Sequence, residues 1–172
     1  MKMKRPKLPS RMTPAEFDAF QEEWKGTFLA IHIDGGFAYG RIVRDTSLAC
    51  YDLRSTTILP IEEIEKAPVF LTAPVAEDFY VTAGWQVLGR KPLEPSLDQP
   101  VRYFREDPIS GEIDIYVEGE FEPYAGEDLS KMERAGAWTP PHLISRLEHH
   151  FFGKPDKHAD LPPKLAKYRK GG

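Results

Sequence analysis

Apolar positions fall into short runs separated by turn residues. Phe28-Leu29-Ala30-Ile31-His32-Ile33 is followed by Asp34-Gly35-Gly36. Phe37-Ala38-Tyr39-Gly40-Arg41-Ile42-Val43 comes next, and Ala49-Cys50-Tyr51-Asp52-Leu53 soon after. Two runs around an Asp-Gly-Gly turn, with a third close behind, predict a β-meander with strands at 28–33, 37–44 and 48–53. Further strands are predicted at 69–71, 85–89 and 101–105, and a turn at Pro108-Ile109-Ser110-Gly111 leads into a strand at 112–118. That last strand alternates cleanly. Ile113, Ile115 and Val117 share one face, and Glu112, Asp114, Tyr116 and Glu118 share the other. Period-two alternation means one buried side and one wet side.

Helical spacing appears at both ends of this β region. Thr13-Pro14-Ala15-Glu16 has the form of a capping box with proline in the first turn. Phe17, Phe20 and Trp24 then form one apolar stripe, and Gly26 suits the stop, which predicts a helix at 13–25. A helical turn is expected at 61–65 and a short helix at 127–134, where Leu129 and Met132 are the apolar residues and Gly136 is the end. Thr139-Pro140-Pro141 opens a final helix that stacks Leu143, Leu147 and Phe151 and ends at Gly153. The expected fold class is mainly β (α+β): a curled antiparallel sheet or half-open barrel with peripheral helices. The expected organisation is a disordered basic arm at 1–12, one globular domain at 13–153 and a basic flexible tail at 154–172. Within the domain a β-meander core spans 28–118 and the C-terminal helices span 127–152.

The 172 residues, 41% hydrophobic and 12% aromatic, suffice for one domain with a real core. No apolar run approaches the roughly 18 residues of a membrane span, and no apolar stretch follows the basic N-terminus as in a secretory signal. Cys50 is the only cysteine, so no internal disulfide can form, and a cytoplasmic setting is expected. The net charge of −4 is unevenly spread: residues 1–11 carry five basic groups and no acid, whereas residues 106–128 carry nine acids and no Lys or Arg. Such an acidic block repels phosphates, which makes nucleic acid an unfavoured partner.

Catalytic signatures are sparse. There is no glycine-rich phosphate loop and no Cys-x-x-Cys. Cys50 with His32 on a neighbouring strand could form a nucleophile and base, but Cys50 inside an apolar run reads better as core. His149 and His150, adjacent on a helix, point about 100° apart and do not make a metal pair with His158, and although His149 follows His142 by seven residues on a shared face, no Cys or Glu-x-x-His pattern joins them. No cofactor or metal is implied. The carboxylates Glu112, Asp114 and Glu118, continuing to Glu120 and Glu122, are the most interesting set. They read as a solvated face or as a docking surface for a basic partner more readily than as a hydrolytic site, whose groups usually converge from separate elements. Trp85 reads as core, and Trp138 is open to either a core or a binding role.

Several segments together resemble the immunity protein family numbered 26 of bacterial polymorphic toxin systems. They are Phe28-Leu29-Ala30-Ile31, Ala38-Tyr39-Gly40-Arg41-Ile42, Tyr51-Asp52-Leu53, Val69-Phe70, and Gly84-Trp85-x-Val87-Leu88-Gly89 followed by Pro92-Leu93. Leu129 to Glu133 and Trp138-x-x-x-His142-Leu143-Ile144-x-Arg146-Leu147 also fit. The resemblance covers about 26–155, with the first helix and the tail as additions. It implies a non-enzymatic protein that binds and neutralises a cognate toxin, with the shared Gly, Trp and Tyr positions as scaffold. Combined with the charge pattern, it gives the expectation of stoichiometric occlusion of a toxin, such as a basic nuclease-type domain. The contacts would be Glu112, Asp114, Tyr116, Glu118 and Glu120. The alternatives are a small β-barrel that binds nucleic acid through basic termini, and a carboxylate-dependent hydrolase.

Overall fold

The computed structural model describes residues 12–76 and 83–158. The expectations for the arm at 1–11 and for the tail at 159–172 lie outside these residues, whereas Met12, expected in the disordered arm, packs half-buried against the core on the helix side of the large sheet.

Helix α1 (Pro14–Trp24) begins as its sequence requires. Thr13 Oγ1 accepts from Glu16 N at 3.2 Å, and Glu16 Oε2 accepts from Thr13 N at 2.9 Å. Its stripe buries Phe20 and Trp24. The chain then enters β1 (Thr27–Ile33), β2 (Gly36–Ile42), β3 (Ser47–Ser55), β4 (Val69–Pro74) and β5 (Gln86–Arg90), with the one-turn helix α2 (Ile61–Ile64) between β3 and β4. These strands form one antiparallel sheet in the order β4-β3-β2-β1-β5.

Both faces of this sheet are covered, which is why β1 reads as a nearly continuous apolar run. Leu29, Ile31, Ala38, Ile42, Leu48, Cys50 and Ala73 face α1 and the C-terminal helix α3 (Pro140–Phe152), together with Trp138. Phe28, Ala30, Tyr39 and Tyr51 face the other way, onto Ile64 of α2 and the loop residues Ile58 and Leu59. Trp85 packs half-buried against the first of these clusters.

A second sheet is separate: β6 (Arg102–Glu106), β7 (Ile113–Val117) and β8 (Glu120–Pro123), in the order β6-β7-β8. Neither sheet closes into a barrel, and two antiparallel sheets with a few helices fit the expected mainly β (α+β) class. The second sheet has its own small core of Phe104, Ile113 and Ile115, backed by Val117, Tyr124, Leu129 and Met132. Tyr103 ties the sheets together by donating from its buried hydroxyl to Ser47 Oγ at 2.6 Å.

Two expectations change here. The helix at 127–134 is only a 3₁₀ turn at Leu129–Lys131. Two apolar residues cannot hold a short helix, and residues 133–135 instead run extended beside β6. There Phe104 N donates to Glu133 O at 3.2 Å and Ala135 N donates to Phe104 O at 2.7 Å. Strand β8, which follows the predicted strand at 112–118 and has no predicted element of its own, completes a hairpin with β7. Of the tail expected from 154, residues 154–158 are described, and they fold back on α3. Lys157 N donates to Ser145 Oγ at 2.9 Å, and the His158 ring stacks on His142.

Candidate interaction face

The acidic residues read as one wet face do not share one. Along β7 the alternation holds, with Ile113 and Ile115 buried and Glu112, Asp114 and Tyr116 on the opposite side. The chain then reverses through Glu118 and Gly119, which have φ of 47° and 92°. Two central residues with positive φ make a type I′ turn, the tight hairpin whose twist matches that of the strands. That turn sets Val117 opposite Glu120 and Ile115 opposite Glu122. Directly opposed residues lie on the same face, so Glu120 and Glu122 emerge on the side of Val117, away from Asp114 and Tyr116. Phe121 joins Tyr116 instead, at a ring separation of 5.4 Å.

Most of the acidic charge is answered locally. Arg105 pairs with Asp114 at 2.5 Å, Arg44 with Glu118 at 2.7 Å, and Arg102 with both Glu122 and Glu127 at 3.1 Å. Backbone N–H donors at Ser110 and Ile109 hold the Asp107 carboxyl below its ordinary value. Among the described residues Glu112 and Glu120 form no ion pair. The segment 101–136 nonetheless holds ten acids against four bases, a net −6, while the whole chain is −4.

The Tyr116 side of the small sheet lines a cleft of about 490 Å³. One wall is Tyr103, Arg105, Tyr116 and Phe121, and the other is Asp45 and Thr46 with the end of β4. The Arg105 guanidinium lies 3.8 Å over the ring of Phe121, which is half-exposed. Asp45 and Thr46 both have φ of 52°. A β-branched residue in that region is a strained exception, and here it sits at the junction of the two sheets.

The other candidate chemistries separate. Cys50 lies in the core between the large sheet and its helices, where burial pushes its thiol up to about 12. His32 is exposed on the opposite face, its ring tilted against that of Phe37, so the nucleophile–base pairing is ruled out by sheet parity. The histidines engage different partners. His150 stacks on Phe70 and meets Asp52 at 2.8 Å, His149 meets Lys154 O at 2.6 Å, and His142 stacks between Trp138 and His158. Trp138 is core.

A buried cation was not singled out in the sequence. Arg41, inside apolar β2, has a side chain with no solvent exposure. Its Nη2 donates to the carbonyls of Lys91 at 3.0 Å and Pro92 at 2.6 Å, and the guanidinium lies 4.5 Å over the ring of Phe28. Its Nη1 meets both carboxylate oxygens of Glu94. The one available signal was an arginine between Gly40 and Ile42 in a run that otherwise reads as core. This clamp joins the segments at 28–31, 38–42 and 92–93 through backbone and ring contacts, a scaffold role.

No curated protein and no solved structure matches the chain. The profile of the family described as Immunity protein 26 matches residues 25–114, from the start of the large sheet into β7. The expected resemblance ran further, to about 155, and the profile leaves out β8 and α3. The match spans more than half of the sequence, and the chain belongs to the Immunity protein 26 family.

Proposed function

We propose that this chain neutralises a cognate protein toxin by stoichiometric binding in the cytoplasm, without catalysis of its own. Membership of an immunity family carries the reading. The charge distribution supports a basic partner, such as a nuclease-type domain: the small-sheet segment holds a net −6, and the rest of the chain is net positive. A face of that sign steers a basic protein toward itself and raises its association rate. The small sheet also carries two of the large apolar side chains exposed among the described residues, Ile109 and Phe121. Within the acidic set, Glu112 and Glu120 supply free charge, and Tyr116 beside Phe121 supplies an aromatic anchor. Asp114 and Glu118 already spend most of their charge on Arg105 and Arg44.

The test is co-expression with candidate toxin domains cloned from genes neighbouring this one. Growth rescue together with a 1:1 complex in size-exclusion chromatography is the expected result. Failure to rescue, with no complex at micromolar concentration, would overturn the reading. Recovery of nucleic acid that survives moderate salt would favour the alternative module.

A further inference from the structure

Strand β8 is an edge. It pairs with β7 alone among the described residues. The opposite edge of the same sheet, β6, is closed by residues 133–135. In the large sheet the end of β4 is bridged at Val75 to Trp138. All four residues of β8 are exposed.

The type I′ turn fixes which backbone groups face outward. The turn directs the Glu120 N–H inward to the Val117 carbonyl, and inward and outward groups then alternate along an antiparallel strand. Phe121 therefore presents both its N–H and its C=O to the open side. Pro123 presents a C=O and has no N–H to give. Flanking side chains are set by the same register, with Glu120 and Glu122 on one face and Phe121 beside Tyr116 on the other.

We infer that the β8 edge is the docking site for one extended, basic segment of the partner, added as a fourth antiparallel strand centred on Phe121. The matching segment reads basic–apolar–basic. Its central residue exchanges two backbone hydrogen bonds with Phe121 and rests on the Tyr116–Phe121 pair beside the Arg105 guanidinium, while its flanking Lys or Arg residues lie opposite Glu120 and opposite Glu122, which they share with Arg102. A second copy of this chain is disfavoured, because antiparallel pairing of two β8 strands would set Glu120 and Glu122 against their own kind. The short strand and its terminal proline limit the edge to one such contact. This inference rests on the toxin-binding reading above and adds where and how the partner is held.

The experiment uses the full chain with the same toxin domain. Amide hydrogen exchange is followed on the free protein and the complex, and binding is measured for Phe121→Pro and Phe121→Val. Proline at 121 removes the outward N–H and leaves the β7 ladder whole, because that N–H takes no part in it; valine keeps the donor and shortens the side chain. The expected result is slowed exchange at the 121 amide in the complex, with Phe121→Pro losing on the order of tenfold more affinity than Phe121→Val. Circular dichroism and the thermal midpoint confirm that both variants fold. Equal affinities for the two variants, or a complex whose protection falls elsewhere, would overturn strand addition and leave toxin binding standing. A protected 121 amide in the free protein, or a dimer, would show the edge filled by this chain itself and overturn the inference. Absence of any complex would overturn both readings.

Discussion

The guanidinium of Arg41 grips the carboxylate of Glu94 from below, Nη1 lying 3.0 Å from Oε1 and 2.8 Å from Oε2. The arginine side chain is fully buried, whereas the glutamate side chain is half-exposed. The pair therefore holds the loop after β5 down on the sheet, and removing the carboxylate leaves a buried cation with two carbonyls and the Phe28 ring but no counter-charge.

Glu94→Ala is accordingly expected to destabilise the fold by roughly 1–3 kcal/mol. That lies below the range for breaking a fully buried pair, because water reaches the glutamate side. Urea unfolding followed by tryptophan fluorescence measures it, and an unchanged midpoint would show that the loop is held by other contacts.

The same pair predicts an acid-dependent gap. Burial pushes the Glu94 carboxyl up, but hydrogen bonding and charge from Arg41 outweigh it and hold the group below the ordinary glutamate value of 4.5. A carboxyl lowered in the folded state contributes stability above its unfolded value, and this is lost as the pH falls through the folded one. The stability difference between the native chain and Glu94→Gln is expected to be full at pH 7 and to shrink as the pH is taken below about 4.5. A gap constant down to pH 3 would contradict this.

Cys50 should be chemically silent in the folded protein. Its thiol is buried and pushed up to about 12, so little thiolate forms at neutral pH and reagents cannot reach it. Alkylation by iodoacetamide is expected only at the rate of unfolding, and Cys50→Ala should leave the proposed toxin binding intact. Fast labelling under native conditions would place the thiol elsewhere.

Gly26 links α1 to β1 with φ of 88°, and a Cβ there would stand 2.1 Å from the Lys91 carbonyl oxygen. Gly126 has a similar φ of 93° and open space around it. Gly26→Ala is expected to destabilise by more than about 3 kcal/mol and Gly126→Ala by only about 1–2 kcal/mol, the backbone strain alone. Comparable thermal midpoints for the two variants would deny the steric role.

If the proposed toxin binding holds, charge reversal at Glu112 and Glu120 should slow association and flatten its salt dependence, because these acids form no ion pair among the described residues. Asp114→Asn should change the association rate much less, since Arg105 already screens that carboxylate. Stopped-flow rates at two salt concentrations separate the cases. Equal effects would mean that the local ion pairs open on binding.

Much of the architecture was legible in the residues themselves. Local signals decide local structure: the capping box at Thr13 and Glu16, the Asp-Gly-Gly turn, the alternation at 112–118 and the Pro-Pro start of the last helix each act within a few residues. The family resemblance was readable for the same reason, since its segments are the strands and turns of that frame. What lay beyond reach depended on pairing between distant segments. Residues 133–135 became a cover for β6 because Phe104, 29 to 31 residues earlier in the chain, offered its backbone groups. The acidic set seemed to form one face because alternation was extended through Glu118 and Gly119, where a two-residue reversal changes sides. The bare acidic block acquired arginines from β6, and Arg41 became the centre of a clamp, only once separate strands were brought together. A sequence determines the period and the turns of its elements, whereas the partner across the gap, and with it the charge that remains free to act, is decided by how those elements pack.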